Sequence, residues 1–359
     1  MKESKTLRTA LAAALALSLA APVAGAGFTD VLDTPAQTSP LAAKGLLQSV
    51  ARAGNRLVAV GQRGHVVVSN DNGATWKQSP VPVSSDLTAV YFVDDRQGWA
   101  VGHDGVILHS GDGGDTWQLQ LDGRKANDLL VAAMERKLAA EPASATAKAL
   151  LGEAQRYKEQ GADKPFLDVW FADAKNGYAV GAYNLIFRTE DGGTTWMPLF
   201  DRTDNPKFFN LYAIRPVGNE LYIAGEGGLV LKLDAASQRF VALTVPYNGS
   251  FFGVAGAGSA VLVFGLRGNV YRSDDAGKTW AKADAGLPAA IVGAAPADGG
   301  TVLLADGGGR IASSADGGRT FNKVVLKNPA PLTGFAPIGN DRFVLVGPRG
   351  ATVSEAAAR

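Results

Sequence analysis

One eight-residue pattern, Ser/Thr-x-Asp-x-Gly-x-Thr-Trp/Phe, occurs five times in the 359 residues of this chain. The five copies are Ser69–Trp76, Ser110–Trp117, Thr189–Trp196, Ser273–Trp280 and Ser314–Phe321. Four of the six tryptophans occupy the last position, so the repetition does not arise by chance. The chain is therefore expected to fold from several copies of one small unit.

The chemistry of the pattern is that of a hairpin turn. Its carboxylate accepts hydrogen bonds from main-chain N–H groups a few residues on, and its Gly takes a positive φ. The aromatic ring begins the next strand and packs on the neighbouring sheet, which is worth roughly 4–6 kcal/mol as an upper estimate. These structural residues are Asp71, Trp76, Asp112, Trp117, Asp191, Trp196, Asp275, Trp280, Asp316 and Phe321. The pattern matches the Asp-box, or bacterial neuraminidase repeat, which joins the third and fourth strands of propeller blades.

A second repeat, a Gly-x-x-Gly turn, precedes each box by eight residues. The seven turns begin at residues 61, 102, 181, 225, 265, 306 and 347. The fourth position is Gly in six turns and Asn in one, which favours a left-handed backbone. The same offset reveals a degenerate box from Leu233 to Phe240 that keeps only its terminal aromatic. A period near 40 residues with about four strands predicts an all-β, seven-bladed propeller over residues 27–359.

The last repeat begins at Leu332 and ends without a fourth strand. Its third strand is predicted at Ala351 to Ser354. We expect Phe28–Asp33, an apolar segment that precedes the first full repeat, to supply the missing strand. The two ends of the chain would then close the ring and remove an exposed sheet edge.

The one long gap between turns contains an insertion from Asp122 to Lys164, between the second and third blades. Asn127 or Asp128 is expected to cap a helix that runs to Ala140, with Leu129, Met134 and Leu138 on one face. A second helix is predicted from Ala145 to Gln160, with Gly161 as its stop. The insertion is therefore interpreted as a helical hairpin.

Residues 1–26 have the pattern of a secretory signal peptide. Lys2, Lys5 and Arg8 precede an apolar run from Ala10 to Ala21, and a small-residue site ends at Ala26. An uncleaved anchor is the alternative, although the apolar run is short for a membrane span. We expect export to the periplasm with cleavage of this segment.

The composition excludes several classes of function. There is no cysteine, so disulfides and thiol chemistry are absent. The formal charge of +1 becomes about −1 without the signal peptide, since Lys2, Lys5 and Arg8 leave together with Glu3. This balance gives no general attraction to nucleic acid. The three histidines lack metal-ligand spacing, so we predict no metal. We also predict no cofactor and a monomer.

The candidate site is on the face of the Gly-x-x-Gly turns, opposite the boxes, which is also where the inserted hairpin emerges. The third turn position is arginine in the first, fifth and seventh blades: Arg63, Arg267 and Arg349. Guanidinium groups at one opening would bind carboxylates. His103, Asp104, Tyr183 and Glu226 would share the rim. The alternative is that each arginine caps a neighbouring blade through an ion pair.

Strings such as Gly61-Gln62-Arg63-Gly64 followed by Ser69–Trp76 resemble the photosystem II stability/assembly factor family over roughly residues 28–359. The resemblance implies a non-enzymatic scaffold that holds partly assembled membrane-protein subunits. In that family an arginine-rich patch is implicated, which by position suggests Arg63, Arg267 and Arg349. Non-photosynthetic bacteria also have such propellers, so the expected partner is a membrane-protein subunit or another envelope complex.

A competing interpretation is a sialidase-like glycoside hydrolase, because sialidases also contain Asp-boxes. The three arginines would grip a substrate carboxylate, and Tyr183 with Glu226 would form the nucleophile pair. Asp104 and Glu226 are the two carboxylates on the chosen face. The Arg-Ile-Pro signature typical of sialidases is missing.

Overall fold

The computed structural model describes residues 29–357, so the predicted signal peptide lies outside the described residues. The chain divides into two units, Met1–Asp30 and Val31–Arg359. Only Thr29 and Asp30 of the first unit are described, and neither has regular secondary structure. The fold below is that of the second unit.

Twenty-seven strands form seven antiparallel sheets within residues 29–357, each a blade whose strands are adjacent in chain order. The strands of the first three blades are β1 (Leu47–Ala53), β2 (Arg56–Gly61), β3 (Val66–Ser69), β4 (Lys77–Ser79); β5 (Leu87–Phe92), β6 (Gly98–Gly102), β7 (Ile107–Ser110), β8 (Gln118–Leu121); and β9 (Phe166–Phe171), β10 (Gly177–Gly181), β11 (Ile186–Thr189), β12 (Met197–Pro198). Those of the last four are β13 (Leu211–Val217), β14 (Glu220–Gly225), β15 (Val230–Asp234), β16 (Arg239–Leu243); β17 (Phe251–Ala257), β18 (Ala260–Gly265), β19 (Asn269–Ser273), β20 (Ala281–Asp284); β21 (Ile291–Ala297), β22 (Thr301–Asp306), β23 (Ile311–Ser314), β24 (Asn322–Val324); and β25 (Gly334–Pro337), β26 (Arg342–Gly347), β27 (Gly350–Glu355).

Each pair of neighbouring blades shares one apolar core, because alternate residues of a strand face opposite sides of its sheet. Seven such cores follow one another around the molecule. The seventh joins Leu57 and Val67 of the first blade to Val344 and Val346 of the last. The blades therefore form a closed ring of seven, as the repeat count predicts.

The boxes have the turn chemistry that the sequence predicts. In the first box Asp71 Oδ1 accepts from the Thr75 N–H at 2.9 Å, and Oδ2 accepts from the Thr75 hydroxyl at 2.6 Å. Gly73 has φ 85°. The Trp76 ring packs in the core between the first and last blades, and its Nε1 donates to the Gly73 carbonyl at 3.1 Å. The Ser69 hydroxyl, whose role the sequence did not indicate, accepts from the Gly73 N–H at 2.8 Å.

The degenerate box of the fourth blade keeps the packing of a complete one. Phe240 is fully buried in the core between the third and fourth blades. The turn itself is held by Asp234, which accepts from the Ala236 N–H and the Ser237 hydroxyl. The aromatic ring is thus the part of the motif that the blade junction requires.

The prediction that Phe28–Asp33 forms the fourth strand of the last blade is wrong for the described part of that segment. Val31–Asp33 is a 3₁₀ helix, and Leu32 is buried in the core between the first and second blades. The Val31 carbonyl accepts from the Ser84 N–H at 2.9 Å. Burial of the Leu32 side chain holds the segment there, and the last blade has three strands among residues 29–357.

The insertion forms two helices, α1 (Gly123–Ala140) and α2 (Ala145–Gln160). The predicted caps of the first helix, Asn127 and Asp128, are wrong, because Asp122 accepts from the Lys125 N–H and starts the helix five to six residues earlier. Leu130 and Met134 form the buried side of this helix, while Leu129 and Leu138 of the predicted face are only half-buried. The second helix has the predicted span, and Gly161 ends it at φ 86°. Neither helix is long and apolar enough to span a membrane, and no other described helix is.

Candidate binding face

The turns between second and third strands are the elements that position the predicted site residues. Five of them are 3₁₀ helices: Gln62–Gly64, His103–Gly105, Ala182–Asn184, Glu226–Gly228 and Leu266–Gly268. Their fourth position has a positive φ, as predicted, and so does their third. Arg63 and Arg267 therefore stand in the left-handed region at φ 54° and 57°. Nothing in the sequence indicates that non-glycine residues would adopt this conformation.

Hydrogen bonds from main-chain N–H groups to side chains tie two of the turns to the entrance of the next blade. The Arg63 N–H donates to Asp86 Oδ1 at 2.6 Å, and Asp86 immediately precedes the first strand of the second blade. The Tyr183 N–H donates in the same way to Asn210 Oδ1 at 2.9 Å. These contacts fix the third turn position and pre-organise the face. The signal that would have revealed Asp86 and Asn210 is a polar residue directly before an apolar first strand.

The three arginines are exposed and lie in the turns of the first, fifth and seventh blades. Their guanidinium groups form no hydrogen bond or ion pair with any residue from 29 to 357. The alternative that each arginine caps a neighbouring blade through an ion pair is therefore wrong. The first and last blades are neighbours across the closing core, so Arg63 and Arg349 belong to adjacent sectors of the face.

Arg349 stands in a tighter turn than the other two arginines. Gly347 pairs directly with Gly350 across this turn, and Gly350 has φ 81°. A Cβ at Gly350 would lie 2.0 Å from the Ala43 carbonyl, so the turn packs closely under the segment that leads into β1. Only glycine fits that position.

The remaining predicted residues lie on the same set of turns. His103 is exposed, and Asp104 has φ 57° in the second blade. The Tyr183 side chain is half exposed, with Lys164 Nζ 5.8 Å from its ring centre. Glu226 Oε2 accepts from the Asn210 N–H at 3.2 Å. In the described structure no hydrogen bond joins Tyr183 to Glu226, so the nucleophile pair of a sialidase is not assembled.

The helical hairpin packs on the rim beside Tyr183. The buried Tyr157 hydroxyl of α2 donates to the Tyr183 carbonyl at 2.9 Å. Burial raises the pKa of Tyr157, so the hydroxyl remains a donor across the physiological range. A Cβ at Gly105 would lie 2.6 Å from Gly123, so α1 starts directly over the turn of the second blade. The hairpin therefore covers the sector of the second and third blades.

The first strands of the blades surround a central cavity of about 620 Å³. Asp168 lies in its wall, and Oδ2 accepts from Arg215 Nη1 at 2.6 Å and from the Ile214 N–H at 2.8 Å. Burial raises the pKa of Asp168 against the opposing effect of Arg215. The sequence interpretation missed this pair. A charged residue in an otherwise apolar first strand was the available signal.

Among the residues that the structure describes, no three acidic or histidine side chains approach closely enough to hold a metal ion. The face thus provides a rigid ring of turns with three guanidinium groups that are unpaired within residues 29–357, and a helical hairpin at one side. Such an arrangement can bind carboxylates of another molecule by charge-assisted hydrogen bonds. The fold and this face define an Asp-box propeller with the features of a binding protein.

The family is shown by comparison with known sequences. The model of the family described as "Photosynthesis system II assembly factor YCF48" matches residues 30–110, 56–144 and 153–297, which together exceed half of the chain. The chain belongs to this family, as the motif resemblance predicts.

Two curated relatives are similar over parts of their length. The photosystem II assembly lipoprotein Ycf48 of Synechococcus sp. (strain CC9902) is 31% identical over 118 residues, which are 32% of this chain and 35% of the relative. The chloroplastic photosystem II stability/assembly factor HCF136 of Cyanidioschyzon merolae is 46% identical over 48 residues, 13% of this chain and 11% of the relative. The matched segments thus span about a third or less of these relatives.

Two solved structures share the fold over nearly the whole chain. "YCF48 bound to D1 peptide" has a TM-score of 0.62 at 15% identity and covers 88% of this chain and 95% of that chain. YCF48 from Cyanidioschyzon merolae has a TM-score of 0.60 at 19% identity and covers 90% of this chain and 98% of that chain. At these identities the similarity shows the fold.

Proposed function

We propose that the protein is a non-enzymatic assembly factor that holds a segment of a membrane-protein subunit against its turn face. Family membership supports the assembly role, and one relative of the same fold is a complex with a peptide. The observation that carries the proposal is the set of exposed guanidinium groups at Arg63, Arg267 and Arg349, which have no partner within residues 29–357.

The electrostatics of these arginines define the segment that would bind. A charge-assisted hydrogen bond from arginine to carboxylate contributes about 1.5–3 kcal/mol, and the planar guanidinium favours two-pronged contact. The rigid turns reduce the entropy that binding would otherwise cost. We therefore propose an acidic, extended segment as the partner.

The proposed location is the periplasm, after cleavage of the signal peptide at Ala26. The predicted leader, residues 1–26, supports export. The partner would then be the exported part of a membrane-protein subunit, and the protein would act as a monomer.

The test compares two triple variants in a crosslinking pull-down from the envelope fraction. Changing Arg63, Arg267 and Arg349 to Ala should reduce capture of a membrane-protein subunit by tenfold or more, since about 1.4 kcal/mol corresponds to tenfold. The matched control changes Arg96, Lys175 and Lys278 to Ala, which removes three exposed cations from the box side of the ring. Equal capture by the two variants would contradict the proposal, and equal melting temperatures would show that both are folded.

A further inference from the structure

The third strand of the last blade has an outer edge whose first part, Gly350 to Val353, forms no main-chain hydrogen bonds with any described residue. In the other six blades a fourth strand pairs with the third, but β27 pairs only with β26. The carbonyls of Val346 and Arg342 accept from Thr333 and Ile338, on the first-strand side of β26. The alternation of main-chain groups then fixes which residues of β27 face β26 and which face outward.

Ala351 and Val353 are the residues whose main-chain groups face outward. Their N–H and C=O groups make no hydrogen bond to any residue between 29 and 357. Only the far end of the edge is paired, where the Lys327 N–H donates to the Glu355 carbonyl at 2.9 Å and Leu326 bridges Ala356. Pro329 has no N–H and the chain leaves the edge there, so the stretch from Gly350 to Val353 stays open.

The segment that would fill this place by analogy lies elsewhere. In the first blade, Val83 follows the fourth strand and packs over Gly64 of the turn. In the last blade, Ala43 packs over Gly350 in the same way. The chain before β1 therefore corresponds to the connection that follows a fourth strand in other blades. Upstream of Ala43, however, the chain crosses the first blade. The Gln37 carbonyl accepts from Gln78 Nε2 at 3.0 Å.

The charges at the two ends of the open edge differ. Fourth strands run antiparallel to third strands, so their C-terminal ends reach the turn face. At that end of β27, Arg349 and Lys44 are exposed, and neither side chain is paired within the described residues. At the other end Lys327 is already paired with Glu355 at 2.7 Å. An added strand therefore meets unbalanced positive charge only at its C-terminal end.

We propose that this edge binds an extended segment of a partner polypeptide as an antiparallel fourth strand. The C-terminal end of the segment carries a carboxylate, from an acidic side chain or the chain terminus, that pairs with Arg349 and Lys44. Strand addition to an open edge supplies main-chain hydrogen bonds for affinity and alternate side chains for selectivity. The inference rests on the proposed function for its premise that the partner is a polypeptide.

The first experiment leaves the protein unchanged and varies the ligand. A fluorescent peptide of alternating threonine and valine with a terminal glutamate is the probe, and anisotropy with the full exported chain gives its Kd. Two further peptides carry N-methyl groups on one or the other set of alternate amides. Methylation of the set that faces β27 should raise the Kd by at least about tenfold, and methylation of the other set should not. Equal effects of the two methylations, or no binding of the parent peptide, would refute strand addition.

The second experiment locates the site on the protein. Amide exchange at Ala351 and Val353 should be fast in the free protein and slow by about tenfold or more when the probe is saturating. Protection of both amides in the free chain would show that its own residues cover the edge, and a dimer in light scattering would show that a second copy does. Either result would overturn the proposal.

The charged end is tested by the double variant Arg349→Ala with Lys44→Ala, which should weaken probe binding about tenfold. A peptide with an amidated terminus and Gln in place of Glu should lose about as much affinity for the unchanged protein. The control Lys278→Ala removes a cation from the box side and should leave the Kd unchanged. If the probe fails while the triple arginine variant still loses membrane-subunit capture, only the strand proposal falls. If the probe binds and capture survives the triple variant, only the arginine-face proposal falls.

Discussion

The turn of each Asp-box depends on the carboxylate of its aspartate. Asp71 and Asp275 each accept hydrogen bonds from a threonine hydroxyl, a threonine N–H and a serine hydroxyl. The threonine hydroxyl bond, followed by the threonine N–H bond, lowers the pKa of each of these two carboxyls to about 2. The ionised form is therefore the one that holds the hairpin closed.

This depression predicts a loss of stability in acid. A carboxyl whose folded pKa lies below its unfolded value of about 3.9 contributes stability that is complete above the unfolded pKa and is lost as pH falls through the folded pKa. The melting temperature should therefore fall between about pH 4 and pH 2. In the variant Asp71→Asn with Asp275→Asn, this dependence should be shallower than in the wild type. The exposed Asp298, outside the boxes, provides the control Asp298→Asn, and an equal change of slope in that variant would contradict the assignment.

The box residues were predictable from sequence because every partner of the aspartate lies within four residues of it. The pair of Asp168 and Arg215 was not, because its partners are 47 residues apart and belong to different blades. The left-handed φ of Arg63 was also unpredictable, and the N–H of this residue is held by the Asp86 side chain of the next blade. Hydrogen bonds between residues close in sequence can be predicted from the sequence, whereas contacts between blades cannot.

At the scale of elements, the helical hairpin was also predictable only in part from the sequence. The sequence places α2 within its observed bounds because Gly161 supplies a strong stop. It misplaces the start of α1, because Asn127 and Asp128 both have the side chains of a cap. In the structure Asn127 is buried, and its Nδ2 donates to the carbonyls of Gly161 at 2.9 Å and Tyr157 at 3.3 Å. Asn127 therefore joins the two helices.

The pair Asn127→Ala and Asp128→Ala separates these roles. Asn127→Ala leaves buried carbonyls at the end of α2 without a donor and should reduce the free energy of unfolding by about 1–3 kcal/mol. Asp128→Ala removes only an exposed ion pair to Lys158, worth less than about 1 kcal/mol. Chemical denaturation followed by fluorescence measures both. A larger loss for Asp128→Ala would mean that Asp128 is the cap and that the buried role of Asn127 is wrong.

At the scale of the whole molecule, the repeat count predicts seven blades but not the way the ring closes. The predicted closure required a strand from the segment before the first blade, and Leu32 instead fills the core between the first two blades. Nothing in the period of the repeats distinguishes these two destinations. The ring is closed by the apolar core between the first and last blades and by the Thr333 hydroxyl, which donates to the Leu47 carbonyl at 2.7 Å.

Closure by packing predicts that this junction is the place where the ring opens first. Val344 and Val263 occupy second strands at the closing junction and at the junction of the fourth and fifth blades, and both are fully buried. Either change to Ala should cost about 2 kcal/mol of unfolding free energy. Only Val344→Ala should also speed amide exchange selectively in the first and last blades, because within residues 29–357 no loop runs from the last strand of the seventh blade to the first blade. The contrary result is that Val263→Ala speeds exchange around Val263 while the closing junction is equally protected in both variants. All seven junctions would then be equivalent, and the ring would have no preferred point of opening.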